Sequence, residues 1–179
     1  AKILVPIANG FEEIEAISVI DICRRAGIEV VTAGVEDKVL IGAHNIKIEM
    51  DKKIDEVKSS DFDMIVLPGG LPNAFTLADD NDVQRLVKEF EEKNKKMGAI
   101  CAAPYALHKA GVLNQNYTCY PSFEKKIKDD GYQDDKNVVT DNNVITSRGP
   151  ATAIDFALEI VKTLKGDDIY FQVKTGLLA

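Results

Sequence analysis

No stretch of this 179-residue chain approaches the roughly 20 consecutive apolar residues that span a bilayer, so no membrane-spanning helix is expected. Histidine is scarce: His44 and His108 stand far apart, and without a His and Cys cluster no zinc site is expected. The three cysteines, Cys23, Cys101 and Cys119, are an odd number with no CxxC pair. That excludes a disulfide framework and fits a reducing compartment, the cytoplasm. Basic charge is in deficit, with 22 Lys and Arg against 29 Asp and Glu and a formal net charge of −7. The balance favours solubility and argues against nucleic acid or an anionic membrane as partner. The opening Ala-Lys-Ile-Leu-Val-Pro-Ile enters a strand pattern directly. It shows no charged region, apolar region and cleavage site, so no secretory leader is expected. No repeat, low-complexity tract or linker divides the sequence, which points to a single domain over residues 1–179.

Apolar residues make up 45% of the chain, enough for one core. Short β-branched runs alternate with helical periodicity. Strands are expected at 3–7, 29–33, 63–67 and 96–100. Helices are expected at 12–26 (stopped by Gly27), 81–94, 102–110, 151–164 and 167–178. Val83, Leu86, Val87 and Phe90 share one face of the second of these. Residues 34–50 read as a short hairpin, and Asp51 as the cap of a short helix through residue 58. Two short strands, 138–140 and 144–146, flank the turn Asp141-Asn142-Asn143. Strands alternating with helices imply a mostly parallel sheet covered on both faces, with function at the carboxyl ends of its strands.

Four loops carry chemistry. In Gly98-Ala99-Ile100-Cys101-Ala102-Ala103-Pro104 a strand runs almost at once into a helix through small residues, as a nucleophile elbow requires. The helix dipole there favours thiolate over thiol, and Pro104 suits a first turn. The competing interpretation is a cysteine buried as a small hydrophobe. After the strand ending at Leu67, Pro68-Gly69-Gly70 permits close approach. The Gly70 N–H could pair with that of Ala102 as an oxyanion hole, or the loop could be a plain turn. Glu12, Glu13 and Glu15 open the first helix. The first two are expected to stabilise its dipole in solvent. Glu15 heads the apolar row Val19, Ile22, Ala26, so its carboxyl should be partly desolvated and its pKa raised; it could stay protonated and donate a hydrogen bond to a thiolate, or act as general base. In Thr146-Ser147-Arg148-Gly149-Pro150, Arg148 could hold an anion or lie on the surface. The run 124–130 mixes charges and reads as a solvated face.

Four ordered segments, Gly10-Phe11-Glu12-Glu13-Ile14-Glu15 with Arg24-Arg25-Ala26-Gly27, Val66-Leu67-Pro68-Gly69-Gly70, Ala99-Ile100-Cys101-Ala102-Ala103-Pro104 and Thr146-Ser147-Arg148-Gly149-Pro150, resemble the ThiJ/PfpI superfamily. Within it they resemble the parkinsonism-associated deglycase group. The resemblance implies a flavodoxin-like three-layer α/β sandwich with a nucleophile elbow, assembled as a homodimer. It implies Cys101 as nucleophile, Glu15 as its carboxylic partner, and Gly70 and Ala102 as oxyanion donors. Gly69, Tyr120, Arg25, Arg148 and Pro150 are the further pocket residues, with no cofactor and no metal. The implied activity is that of a cofactor-independent glyoxalase or deglycase on reactive dicarbonyls such as methylglyoxal. The alternative is an oxidative-stress sensor or chaperone without turnover. Two departures bear on mechanism. Tyr120 stands where many members of the group have a pocket histidine, and a phenol is a poor base near neutral pH. Ala102 stands where the peptidase branch has a histidine, and His108 lies two turns too far along, which counts against a Cys-His hydrolase. Cys119 is either a second thiol near the pocket or a core cysteine.

Overall fold

The structure, a computed structural model, describes residues 1–179. Along the chain the elements are β1 (Lys2–Ile7), α1 (Glu13–Arg25), β2 (Glu29–Gly34), β3 (Val39–Ile41), β4 (Lys47–Glu49), β5 (Lys52–Lys53), β6 (Met64–Leu67), α2 (Asn73–Asp79), α3 (Asn81–Glu92), β7 (Lys96–Ile100), α4 (Pro104–Lys109), α5 (Glu124–Ile127), β8 (Val138–Asp141), β9 (Val144–Ser147), α6 (Ala153–Lys165) and α7 (Asp167–Gly176). Seven strands form one sheet in the order β5-β2-β1-β6-β7-β9-β8, parallel except for β8 at its edge. β3 and β4 form a separate antiparallel hairpin.

The pleat divides the core into two layers. Ile3, Val5 and Ile7 of β1 pack on one face with Val19, Ile22, Phe156 and Ile160 of α1 and α6. Leu4 turns to the other face and meets Val83, Leu86 and Phe90 of α3 and Leu107 of α4. Helices on both faces of a mostly parallel sheet make the flavodoxin-like three-layer sandwich. The parallel strands β1, β6, β7 and β9 bring their carboxyl ends, and hence the loops that follow them, to one edge of the sheet.

Three local expectations change. The helix predicted from Asp51 through residue 58 shrinks to one 3-10 turn at Ile54–Glu56, and Asp51 does not cap it. The Asp51 carboxylate instead accepts from the Thr32 backbone N–H at 2.9 Å and from its hydroxyl at 3.1 Å, so it stitches β5 to β2 rather than capping a turn. The helix after Cys101 starts at Pro104, two turn residues later than predicted. In the run read as solvated, Lys125, Lys126, Asp129 and Asp130 are exposed but Glu124 is buried, accepting from the Ser122 N–H at 2.6 Å.

Candidate active site

Cys101 follows the last residue of β7 and takes a φ of +66°, the left-handed conformation that an elbow imposes on a residue with a side chain. Its peptide is clamped from both sides: its N–H donates to the Ser147 carbonyl at 2.9 Å and its carbonyl accepts from the Tyr120 N–H at 2.8 Å. The left-handed turn swings the side chain out of the strand's pleat toward the glycine loop after β6. There the backbone N–H groups of Ala102 and Gly70 donate to the sulfur, and the Glu15 carboxyl hydrogen-bonds to it.

Only glycine fits at that loop. A Cβ on Gly69 would lie 2.6 Å from both the Cys101 Cβ and the Glu15 Oε1. Gly70 has a φ of +93°, and a Cβ there would come within 2.4 Å of the Glu12 nitrogen. The loop is fixed from below by Asn73. Its side-chain N–H groups donate to the Pro68 and Gly69 carbonyls at 2.8 and 2.9 Å, and its Oδ1 accepts from the Ala8 N–H at 2.8 Å. Asn73 is not among the residues expected from the sequence; its one local signal is an amide side chain soon after a glycine loop and a proline.

Glu15 is fully buried. Its Oε1 accepts from the Gly69 N–H at 2.9 Å, while Oε2 has no hydrogen-bond partner in the protein. Burial pushes its pKa up to about 7, against the pull of the Cys101 and Gly69 hydrogen bonds and with help from the nearby Glu12 charge. The raised carboxyl follows the expectation from its apolar row. The sulfur does not follow the dipole expectation so simply. Burial raises the Cys101 pKa and an ionised Glu15 raises it further, while the Ala102 and Gly70 N–H groups oppose both. Burial and the neighbouring carboxyl thus outweigh the pull of the two backbone dipoles. A protonated Glu15 carries no charge to repel the sulfur, so the two groups oppose each other's ionisation.

Glu12 and Glu13 are not in solvent as predicted; they are 7% and 6% exposed. Glu12 caps α1 by accepting from the Ile14 N–H at 2.9 Å. Glu13 reaches over the β3–β4 hairpin, accepting from the His44 N–H at 2.7 Å and lying 3.0 Å from its ring Nδ1. Glu12, Glu13 and His44 bring possible ligand atoms within 4.8 Å of one another. The Glu13 oxygens are occupied by these donors and by the Ile46 N–H, which assigns the cluster to holding the hairpin.

Gly69, Gly70, Ala102 and Glu15 thus meet at Cys101. Tyr120, Arg148 and Pro150 lie one step away, lining a cleft of about 450 Å³ whose walls include neither Cys101 nor Glu15. Arg25 is not brought to the site within the chain. Ten residues beyond Glu15 on α1, it is about 15 Å farther along the helix, where it pairs with Asp21 at 2.5 Å. His108 is exposed near the end of α4, away from the sulfur. Cys119 is fully buried beside Tyr117 and Ile127, and burial pushes its thiol up to about 12.

The chain is 40% identical over 178 residues to the protein dj-1beta of Drosophila melanogaster, covering 98% of this chain and 95% of that one. The crystal structure of that protein superposes with a TM-score of 0.95 over 99% of this chain and 97% of its own. A Caenorhabditis elegans protein named glutathione-independent glyoxalase DJR-1.2 is 38% identical over 169 residues, or 94% of this chain and 90% of that one. The structure of Toxoplasma gondii DJ-1, oxidized, matches with a TM-score of 0.94 at 34% identity, over 99% of this chain and 97% of that one. The DJ-1/PfpI family pattern runs through residues 1–163, from β1 through the elbow into α6, and with it the chain belongs to the DJ-1/PfpI family.

Proposed function

We propose that this chain is a cofactor-independent glyoxalase acting on small reactive dicarbonyls, methylglyoxal among them, through Cys101. The observation that carries the reading is the pairing of a buried thiol with a buried carboxyl, with two backbone N–H groups trained on the sulfur. The name of the C. elegans relative supports the reaction class. The thiolate adds to the aldehyde carbon as Glu15 holds the proton. The C–S bond forms, the carbonyl electron pair moves to oxygen, and that oxygen takes the proton, giving a hemithioacetal. Glu15, now a carboxylate, removes the proton from the same carbon and returns it to the neighbouring one while the hydroxyl proton passes from the first oxygen to the second, so the first carbon is oxidised and the second reduced. The product of that shift is a thioester. Water cleaves it, releasing a 2-hydroxy acid and restoring the thiol. Deglycation of early sugar adducts would use the same groups.

The assay is lactate formation from methylglyoxal by wild type and Cys101→Ser. Turnover is expected in the first and absent in the second. No turnover in the wild type removes the enzyme, and turnover surviving Cys101→Ser removes the mechanism. Two observations favour a second reading, an oxidative sensor: the donors around the sulfur, the Glu15 acid included, suit a sulfinate, and the similar Toxoplasma gondii DJ-1 structure is of the oxidised protein. Mild peroxide followed by peptide mass mapping separates them; a gain of two oxygens located away from Cys101 counts against the sensor.

We further infer a homodimer in a reducing cytoplasm. Ile14 and Ile17 of α1 and Val39, Ile41 and Ile46 of the hairpin are 43% to 56% exposed. Glu13 ties these two elements together, so they form one apolar face suited to a second copy. Arg25 lines a surface cleft with Ile17 and Ile20 on that same helix, which is where a basic residue near the interface belongs.

A further inference from the structure

On a chain of net charge −7, the cleft of about 450 Å³ beside the elbow holds one cation and no carboxylate among its lining residues, Tyr120, Pro121 and Arg148 to Thr152. Arg148 makes no ion pair with any acidic side chain. Its Nε is buried without an acceptor, although a guanidinium N–H removed from water ordinarily finds one. The buried acid on the adjoining segment, Glu124, spends Oε1 on the Ser122 N–H and makes no ion pair with Arg148. The cleft also receives the amino end of α6, a 13-residue helix entered through the turn Pro150–Thr152, whose dipole adds positive potential there against the exposed Asp155 of the first turn. The opposite wall is the Tyr120 ring, half exposed and lying against Gly149, where a Cβ would sit 3.4 Å from the Tyr120 Cδ2.

Both walls are bonded to the nucleophile's own peptide: Ser147, next to Arg148, accepts from the Cys101 N–H, and the Tyr120 N–H donates to the Cys101 carbonyl. The cleft is therefore one backbone layer from the sulfur. We propose that Arg148, with the amino end of α6 and the Tyr120 hydroxyl, forms a subsite for a small 2-hydroxy carboxylate. The choice of carboxylate over other anions rests on the glyoxalase reading, whose product is such an acid. The planar guanidinium donates to two carboxylate oxygens side by side, and the phenol suits the neighbouring hydroxyl.

The experiment is an NMR titration of ¹⁵N-labelled Cys101→Ser protein with sodium lactate, and in parallel with inorganic phosphate and sodium chloride. Cys101→Ser removes thiol chemistry, so binding is read whether or not the parent turns over methylglyoxal. Lactate is expected to shift the Arg148 Nε–Hε resonance and the amides of residues 149–153 saturably, at lower concentration than phosphate, with no saturation by chloride. Adding Arg148→Gln should weaken lactate binding at least tenfold, Arg148→Lys should retain part of it, and Tyr120→Phe should weaken it a few-fold. If Arg148→Gln fails to fold, Arg148→Lys carries the comparison. Shifts absent from Arg148, lactate binding untouched by Arg148→Lys and Arg148→Gln, or phosphate binding more tightly than lactate would each overturn the assignment. Methylglyoxal turnover by the parent without lactate binding here sinks this subsite alone; lactate binding without turnover sinks the reaction and leaves the cleft.

Discussion

Glu13 and Glu15 sit two residues apart in the first turn of one helix, both buried, and the fold drives them in opposite directions. For each, burial is the largest influence and opposes ionisation. Glu13 collects enough donors to overcome it: the His44 ring, its own N–H, and the N–H groups of His44 and Ile46 hold its pKa below the usual carboxylate range. Glu15 has the Gly69 N–H and the Cys101 thiol, one oxygen with no protein partner, and the Glu12 charge nearby, and its pKa rises to about 7. Burial depth does not decide the role of a carboxyl; the number of donors aimed at it does. One is a structural anchor, the other a group that can exchange a proton with sulfur.

The largest test of that contrast is catalytic. Glu15→Gln keeps the shape and removes the exchangeable proton, and methylglyoxal turnover should fall by about 10²–10⁴-fold, the range for a positioned acid–base group. Glu13→Gln should leave kcat within a few-fold of wild type while lowering the melting temperature, because it loosens the hairpin rather than the sulfur. Equal losses in both variants, measured as kcat with melting curves alongside, would erase the distinction.

Stability against pH separates the two next. Glu15 has a folded pKa of about 7 against 4.5 for the ordinary group, so its contribution is whole below about pH 4.5 and is lost as pH rises through about 7. That gap is worth about 3 kcal/mol. Glu13, depressed in the fold, contributes above about pH 4.5 and loses its contribution as pH falls through its folded value. Urea unfolding of wild type and Glu15→Gln at pH 5 and pH 8 should show the variant gaining about 2–3 kcal/mol relative to wild type at the higher pH. A constant difference between the two proteins would mean that Glu15 ionises as freely in the fold as outside it.

The sequence carried the elbow because small residues, a strand and an early proline are local signals. It carried Glu15 because helical spacing places that carboxyl above Val19 and Ile22. It could not carry the burial of Glu12 and Glu13, since the segments that cover them, the hairpin around His44 and the glycine loop, arrive from 30 to 60 residues away. The same limit hid the role of Asp51, whose partner is Thr32 on another strand. Helix α2 escaped notice because Pro72 and Asn73 follow a glycine loop and suggest continued turn, while its buried Ala74, Leu77 and Ala78 are few. The thiol's pKa is hidden for a different reason: a dipole can be read from order along the chain, but the desolvation opposing it depends on packing from every side.

The smallest effect concerns what holds Glu13 ionised. The His44 side chain is 74% exposed, so its contact with Glu13 is screened by water, whereas its backbone N–H donates at 2.7 Å whatever the side chain is. His44→Ala removes the ring and keeps the peptide. It should cost under about 1 kcal/mol, the range for exposed pairs, and leave turnover unchanged. If the melting temperature falls as far as it does in Glu13→Gln, the ring rather than the backbone anchors the carboxylate. The contrast with Glu15 would then rest on one exposed side chain instead of on the way the hairpin folds over the helix.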